Sequence, residues 1–340
     1  MRANTKVETK IKTEAEIGSA KIGVIEVNAR AKMADGTGTK PKIKPKIKPS
    51  WRKSLIGYVF MLPFLILFFI FIIIPVFVAL GTSFTNFNML QPAKWIGLTN
   101  YKLLFLDDVI FLTAIKNTLI FACITGPIGY FMSFIAAWVI NQLRMRNAFA
   151  LAFYAPSITS GIAMSVIWLY FFSNDRYGLF NNIFINLGFI KEPILWTLDA
   201  KYILPVIILI SIWMSMGTGF LVFLAGLQNI PREYYEAASI DGIKNKFQEL
   251  WLISLPLLKP QLLFGAINSI VGSFGVFDIA VSVAGMPSPN YAAHTIVAHL
   301  YDYAFIRFQM GYASSVAMVL FLMTFILGRV VMKMLSSKGE

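Results

Sequence analysis

The sequence predicts an all-α integral membrane protein of six transmembrane helices behind a basic tail without regular structure. Composition is the first reason. The 340 residues are 57% hydrophobic and only 14% charged, with a mean hydropathy of +0.67. Soluble domains carry about 25% charged residues, so this chain has too little polar surface to cover itself in water. Spacing is the second reason. Six apolar runs lie near 55–81, 113–141, 148–172, 203–228, 257–284 and 312–335. Each reaches the roughly 20 helical residues that cross a hydrocarbon core about 30 Å thick. Lipid offers no partner to a free N–H or C=O, so such runs satisfy their backbone as helices. The placement of charge is the third. Of the net +13, most belongs to the start of the chain: up to Lys53 there are 14 Lys+Arg against 5 Asp+Glu, and beyond it 16 against 12.

In chain order, residues 1–50 are rich in Lys, Thr and Ala and carry the Lys/Pro repeat KPKIKPKIKP over 40–49. Alternating Pro suppresses helix and favours extended chain. The reading is a disordered cytoplasmic tail over 1–50, with an amphipathic surface segment around 18–30 as the alternative, and a six-helix transmembrane domain over 51–340. No apolar core of a secretion signal stands in 1–50. Pro63 and Pro75 are expected to kink the first helix. Trp51, Trp95, Trp168, Trp196, Tyr170 and Tyr177 fall near predicted interfaces, where amphipathic rings prefer to lie. Cys123 is the single cysteine, which excludes an internal disulfide.

Orientation follows the excess of Lys and Arg in cytoplasmic connections. With the tail inside, the inner connections and C-terminus hold Arg144, Arg146, Arg232, Lys244, Lys246, Lys259, Arg329, Lys333 and Lys338. The outer ones hold Lys94, Lys102, Lys116, Arg176, Lys191, Lys201 and Arg307, so the margin is 9 to 7 before the tail is added. Both termini are then cytoplasmic. A basic tail beside a membrane span contacts anionic lipid rather than nucleic acid.

The one sizeable inner connection is 229–256. Pro231 favours a helix start just after it. Glu233 and Glu236 fall in the first turns, where negative charge suits the helix dipole. Asp241-Gly242 is a stop, with Gly242 supplying the left-handed cap. A short surface helix over 232–241 is therefore expected, with helix resuming over 244–254 and Pro256 marking the entry to the fifth span. Ala237 and Ala238 are small, so a partner backbone can approach. Tyr234, Tyr235, Ile240 and Ile243 add an apolar face. Such an element suits insertion into a groove of a partner.

This loop resembles the cytoplasmic EAA loop of ABC-importer permeases through Glu236-Ala237-Ala238, Gly242 and Ile253-Ser254-Leu255-Pro256. The resemblance extends over about 51–335. Trp95-Ile96-Gly97-Leu98-Thr99-Asn100-Tyr101, Lys116-Asn117-Thr118-Leu119, Tyr154-Ala155-Pro156, Ile167-Trp168, Leu224 to Pro231, Phe277-Asp278 with Gly285-Met286-Pro287, and Phe308 to Ser314 are similar to motifs of the carbohydrate (maltose / glycerol-3-phosphate) type, first permease subunit. There are departures. Gly242 and Ile253 are one residue further apart than in the family pattern, Gly285-Met286-Pro287-Ser288-Pro289 is poor in glycine, and the tail has no counterpart.

The resemblance implies a type I ABC-importer permease in the plasma (inner) membrane, importing a carbohydrate. A second permease subunit, two ATPase subunits and an extracytoplasmic solute-binding protein are its implied partners. ATP and Mg then belong to the ATPase, and this chain binds no cofactor of its own; no GxxxxGK[ST] occurs in it. Glu236, Ala237, Ala238, Asp241, Gly242, Leu255 and Pro256 are the implied docking residues. For the substrate pathway the candidates are Asp278, Asn268, Ser273, Tyr130 and Trp168. Intramembrane carboxylates default to function, and Asn268, ten residues before Asp278, would share its helix face at 3.6 residues per turn. Small and polar residues such as Ser273 also serve helix packing. Apart from Lys116 and Lys259 at span ends, no basic residue stands within the spans before Arg329, which favours a neutral sugar or oligosaccharide. His294 and His299 lack the Cys or acidic neighbours of a metal site. The rival function is an ion-coupled secondary transporter, which calls for buried coupling carboxylates or inverted repeats; Asp278 is the lone acidic candidate and no repeat is evident. The identity of the sugar is not legible in these residues.

Overall fold

The computed structural model describes residues 51–336. The tail assigned to 1–50 lies outside the described residues. By backbone contacts the chain divides after Ile66. The first unit is described from Trp51 and is helical. The second begins at Leu67 and holds the later spans, the cavity and the loop before the fifth span.

Helix Trp51–Phe68 passes through a π turn, Phe69–Ile73, into helix Ile74–Thr82. The sequence expects kinks at Pro63 and Pro75. The departure from α geometry falls in the turn just before Pro75, which has no N–H to offer that turn; Ile74 N–H instead reaches back to the Phe69 carbonyl.

Further spans run Val109–Asn141, Ile203–Gln228, Lys259–Ala284 and Met310–Leu335. The third expected span, 148–172, is not one helix. It is a pair, Arg146–Ile158 and Gly161–Phe171, bent by 95°. Pro156 removes a donor inside the first piece, and Thr159 and Ser160 are extended, at ψ 138° and 133°. With that pair taken as one span the count is six. Two other spans are interrupted. The fourth breaks between Ile203–Met214 and Thr218–Gln228, where Gly217 sits at φ −121°, ψ −121°. The fifth breaks between Lys259–Phe274 and Asp278–Ala284.

The long second span is the spine, packed against both halves of the fourth, against Lys259–Phe274 and against the outer segment Ile296–Tyr301. The sixth packs on the fifth and on Ile74–Thr82. Toward the end that carries the docking loop, Phe134, Ala137, Ile140, Phe220, Phe223, Leu227 and Leu258 form one core. Toward the opposite end Phe121, Trp168, Phe172, Ile203, Ile207 and Ile279 form another. Among the described residues there is no strand, only an isolated bridge between Thr85 and Trp95.

Candidate functional site

The docking loop forms as its residues dictate. Helix Arg232–Ile240 starts directly after Pro231, with Glu233 in its first turn. It ends in a full left-handed cap: Gly242 adopts φ +93°, Ile243 N–H donates to Ala238 O at 3.0 Å and Gly242 N–H to Ser239 O at 3.3 Å. That is the paired hydrogen-bond pattern of a glycine C-cap, which satisfies the last carbonyls. A Cβ on Gly242 would meet nothing within 4 Å, so glycine is needed there for backbone conformation and for an open face, not for internal packing. Helix resumes at Lys246–Glu249, capped by the Asn245 side chain on Phe247 N–H at 3.0 Å, and continues through a π turn Leu250–Ser254 to Leu255 and Pro256.

The two alanines divide in role. Ala238 is buried beneath the helix, while Ala237 is exposed beside Glu236, Tyr234 and Ile240. The Tyr235 and Ser254 hydroxyls share a hydrogen bond of 3.0 Å, which ties the docking helix to the entry of the fifth span. The Glu236 carboxylate has no ion pair among the described residues. Exposed Phe247, Trp251 and Leu252 extend the apolar surface beyond the helix.

The breaks in the third, fourth and fifth spans meet at one cavity of about 400 Å³. The second span contributes Thr125, Gly129, Tyr130 and Ser133 to its wall, and Gly161 opens the second half of the third. Ser211, Ser215 and Thr218 flank the break in the fourth, and Asn268, Ser269, Ser273 and Asp278 flank that in the fifth. Tyr130, Asn268, Ser273 and Asp278 therefore come together as the sequence expects. Trp168 does not join them: it packs among Phe171, Phe172 and Trp213, 8% exposed. The reason Asn268 and Asp278 share the cavity also differs from the expectation. The helix stops at Phe274, so no continuous 3.6-residue periodicity links them; the break turns both toward the same space.

The wall is chemically graded. Several hydroxyls already donate to backbone: Ser269 to Gly126 O at 2.7 Å, Ser215 to Ile212 O at 2.6 Å and Thr125 to Phe121 O at 2.8 Å. These keep acceptor lone pairs for a solute. Ser211 Oγ is buried without a partner, and neither the Asn268 amide nor the Asp278 carboxylate is hydrogen-bonded to a described residue. Tyr130 stands edge-on to Phe223, giving an apolar floor. Ser211, Ser215, Thr125 and Thr218 were not singled out in the sequence. The signal available was the i, i+4 pairing Ser211/Ser215 and Ser269/Ser273 inside apolar runs, which places hydroxyls on one helix face.

Interrupted spans around a polar cavity, with a capped helix projecting from the connection before the fifth span, are the architecture of a membrane transport subunit. The chain belongs to the family of binding-protein-dependent transport system inner membrane components, whose profile matches residues 127–338. A probable ABC transporter permease protein, YesP of Bacillus subtilis, is 36% identical over 270 residues, covering 78% of this chain and 86% of YesP. The arabinooligosaccharides transport system permease protein AraP of the same organism is 31% identical over 288 residues, 83% of this chain and 90% of AraP. The lactose transport system permease protein LacF of Rhizobium radiobacter is 32% identical over 277 residues, 80% and 91% of the two chains. In fold, the chain is similar to a crystal structure of a bacterial ABC transporter that imports the acidic polysaccharide alginate: TM-score 0.71, 22% identity, 85% of this chain and 98% of that one.

Proposed function

We propose that this chain is the first permease subunit of an ATP-driven importer for a neutral sugar or oligosaccharide. A second permease completes the pathway, an extracytoplasmic binding protein delivers the solute, and two ATPase subunits supply the energy. Both termini face the cytoplasm of the plasma (inner) membrane. The observation that carries this reading is the docking helix Arg232–Ile240, exposed along Tyr234, Glu236, Ala237 and Ile240 and fastened at Ser254 to a span that lines the cavity. Closing of the ATPases displaces the helix, the pull reaches the fifth span through Tyr235 and Ser254, and the cavity changes its accessible side. Such a switch requires differential binding to its two states worth several kcal/mol.

The cavity supports the solute class. Its wall holds hydroxyls, the Asn268 amide, aromatic faces and one carboxylate, Asp278, and no Lys, Arg or His. Sugar hydroxyls can donate to that carboxylate and to the serine lone pairs, while ring C–H faces rest on Tyr130 and Phe277. Two of the relatives carry sugar names, AraP and LacF, which agrees.

The test is purification of the tagged chain from its native membrane in mild detergent, with mass spectrometry of co-purifying proteins and an ATPase assay. A second permease, an ATPase and vanadate-sensitive hydrolysis, with coupling lost in Gly242→Asp, is the expected result. A lone stable chain without ATPase would overturn the reading in favour of ion-coupled transport.

A further inference from the structure

The chain has 2 histidines, and the fold buries both in the segment between the fifth and sixth spans. His294 is 3% exposed and His299 1%. Their rings stand edge to face with centroids 5.5 Å apart. Nε2 of His294 and both ring nitrogens of His299 are buried without a well-aligned hydrogen bond. Nothing in the proposed transport cycle uses these groups.

Their surroundings are charged and come from three elements. From the start of the second span, Asp108 Oδ2 lies 3.2 Å from His299 Nε2, a distance that suits an ion pair although the direction does not suit a hydrogen bond. The same oxygen accepts the Tyr312 hydroxyl of the sixth span at 2.5 Å and the Tyr303 hydroxyl at 3.3 Å. Asp108 Oδ1 caps the second span through Phe111 N–H at 2.8 Å. From the segment itself come Asp302, Tyr303 and Arg307. Arg307 Nε donates to Asp302 at 2.8 Å, and its guanidinium lies over the Tyr303 ring at 4.5 Å. Asp108 is thus already held by donors from two spans while both imidazoles are neutral.

The segment is also stitched to the cavity. Asn117 Nδ2 donates to the Tyr291 and His294 carbonyls at 2.9 and 3.0 Å, and Ile296 N–H donates to Thr118 Oγ1 at 3.0 Å. Thr295 Oγ1 donates to the Val276 carbonyl at 3.1 Å. Val276 lies in the break of the fifth span and lines the cavity beside Asp278. The residue next to His294 therefore fixes the rim of the cavity.

We propose that residues 288–312 form an acid-sensitive strap. With both histidines neutral it clamps the starts of the second and sixth spans and holds Val276 at the cavity rim; protonation of the pair releases it. A proton on either ring places a charge in a buried site and disfavours a second proton on the other, and opening the strap to solvent relieves both.

The sign follows from the same groups. Burial, reinforced by His299, pushes His294 down to about 4 against the opposing pull of Asp302 and Asp108. Burial likewise lowers His299, outweighing the attraction of Asp108. Burial raises Asp108, but the hydrogen bonds from Tyr312 and Phe111 N–H, with His299 and Tyr303, outweigh it and hold the carboxyl below its ordinary value. The histidines thus favour the closed strap fully above their ordinary value of about 6.5, and that contribution is lost as pH falls from there toward about 4.

Hydrogen exchange on the full-length chain in nanodiscs tests this, at pH 7.5 and 5.0 with intrinsic rates corrected. Peptides from 288–312 are expected to lose at least about tenfold in protection at pH 5.0 relative to peptides from 203–228, equivalent to about 1.4 kcal/mol. The His294→Gln/His299→Gln double variant is expected to show no such loss. In parallel, exchange of the imidazole C2–H in the wild-type chain reads each histidine's titration directly. Both midpoints are expected below about 6.5 and to coincide with the loss of strap protection. Strap protection unchanged at pH 5.0, an equal loss in the double variant, or two histidines titrating near 6.5 would each overturn the proposal. If the double variant does not fold, coincidence or separation of the wild-type midpoints decides. None of these readouts depends on which solute the cavity carries.

Discussion

The docking loop and the cavity are both made at helix ends, yet they are specified differently. The loop is assembled within residues 229–256, from Pro231 at one end, Gly242 at the other and a side-chain cap at Asn245. Each of these caps acts on neighbours a few residues away. The cavity is made where three separate spans break, at Thr159–Ser160, Ser215–Gly217 and Gly275–Phe277. No short stretch encodes it. Local caps tolerate change elsewhere in the chain, whereas the cavity depends on the fit of spans far apart in sequence.

That contrast can be broken most sharply at Gly242. Its φ of +93° costs a residue with Cβ about 1–2 kcal/mol, and its surroundings are open. Gly242→Asp is expected to lower ATP-coupled uptake about a hundredfold, within the usual range of coupling free energies, while the unfolding midpoint in detergent falls by no more than a few degrees. A large drop in stability with it would show that the loop is structural and not a docking element.

A cavity-wall change should behave the opposite way. A Cβ at Gly129 would sit 2.6 Å from Ser215 Oγ and 2.9 Å from its Cβ. Gly129→Val is expected to destabilise by about 2 kcal/mol, the usual range for overpacking, seen as a lower unfolding midpoint. Next in size is Asn268→Leu. It removes a free amide from the wall, and uptake is expected to fall about tenfold, or about 1.4 kcal/mol, with the assembly still co-purifying. Unchanged uptake would take Asn268 off the pathway. The smallest effect is expected at Lys246→Ala. The Lys246–Glu249 pair is short, at 2.7 Å, but the lysine is 63% exposed, so no more than about 0.5 kcal/mol should be lost.

The same contrast explains what could be read in advance. The docking helix, its cap and its termini were legible because Pro, Gly and Asn act through the backbone of adjacent residues. The spans were legible because lipid demands about 20 apolar residues wherever a helix crosses. The 95° bend of the third span was not, because Pro156 announces a weak point without saying how far the chain turns there. Asn268 and Asp278 share the cavity for a reason other than periodicity, since the interruption after Phe274 replaces the continuous helix that would have aligned them. Trp168 was drawn to the pathway by residue type alone, and packing against Phe172 and Trp213 moved it into the core.

The histidines mark the far limit of sequence reading. His294 and His299 looked like loop residues without metal partners. Their burial beside Asp108, more than 180 residues earlier in the chain, exists only once the second and sixth spans have packed. By itself, then, the amino-acid sequence determined the membrane habit, the number and order of the spans and the capped helix before the fifth span, because those rest on hydropathy and on backbone rules that act over a few residues. The cavity, the choice of hydroxyls facing it and the buried histidine strap were decided by tertiary structure, because each requires side chains from spans distant in sequence to be brought together.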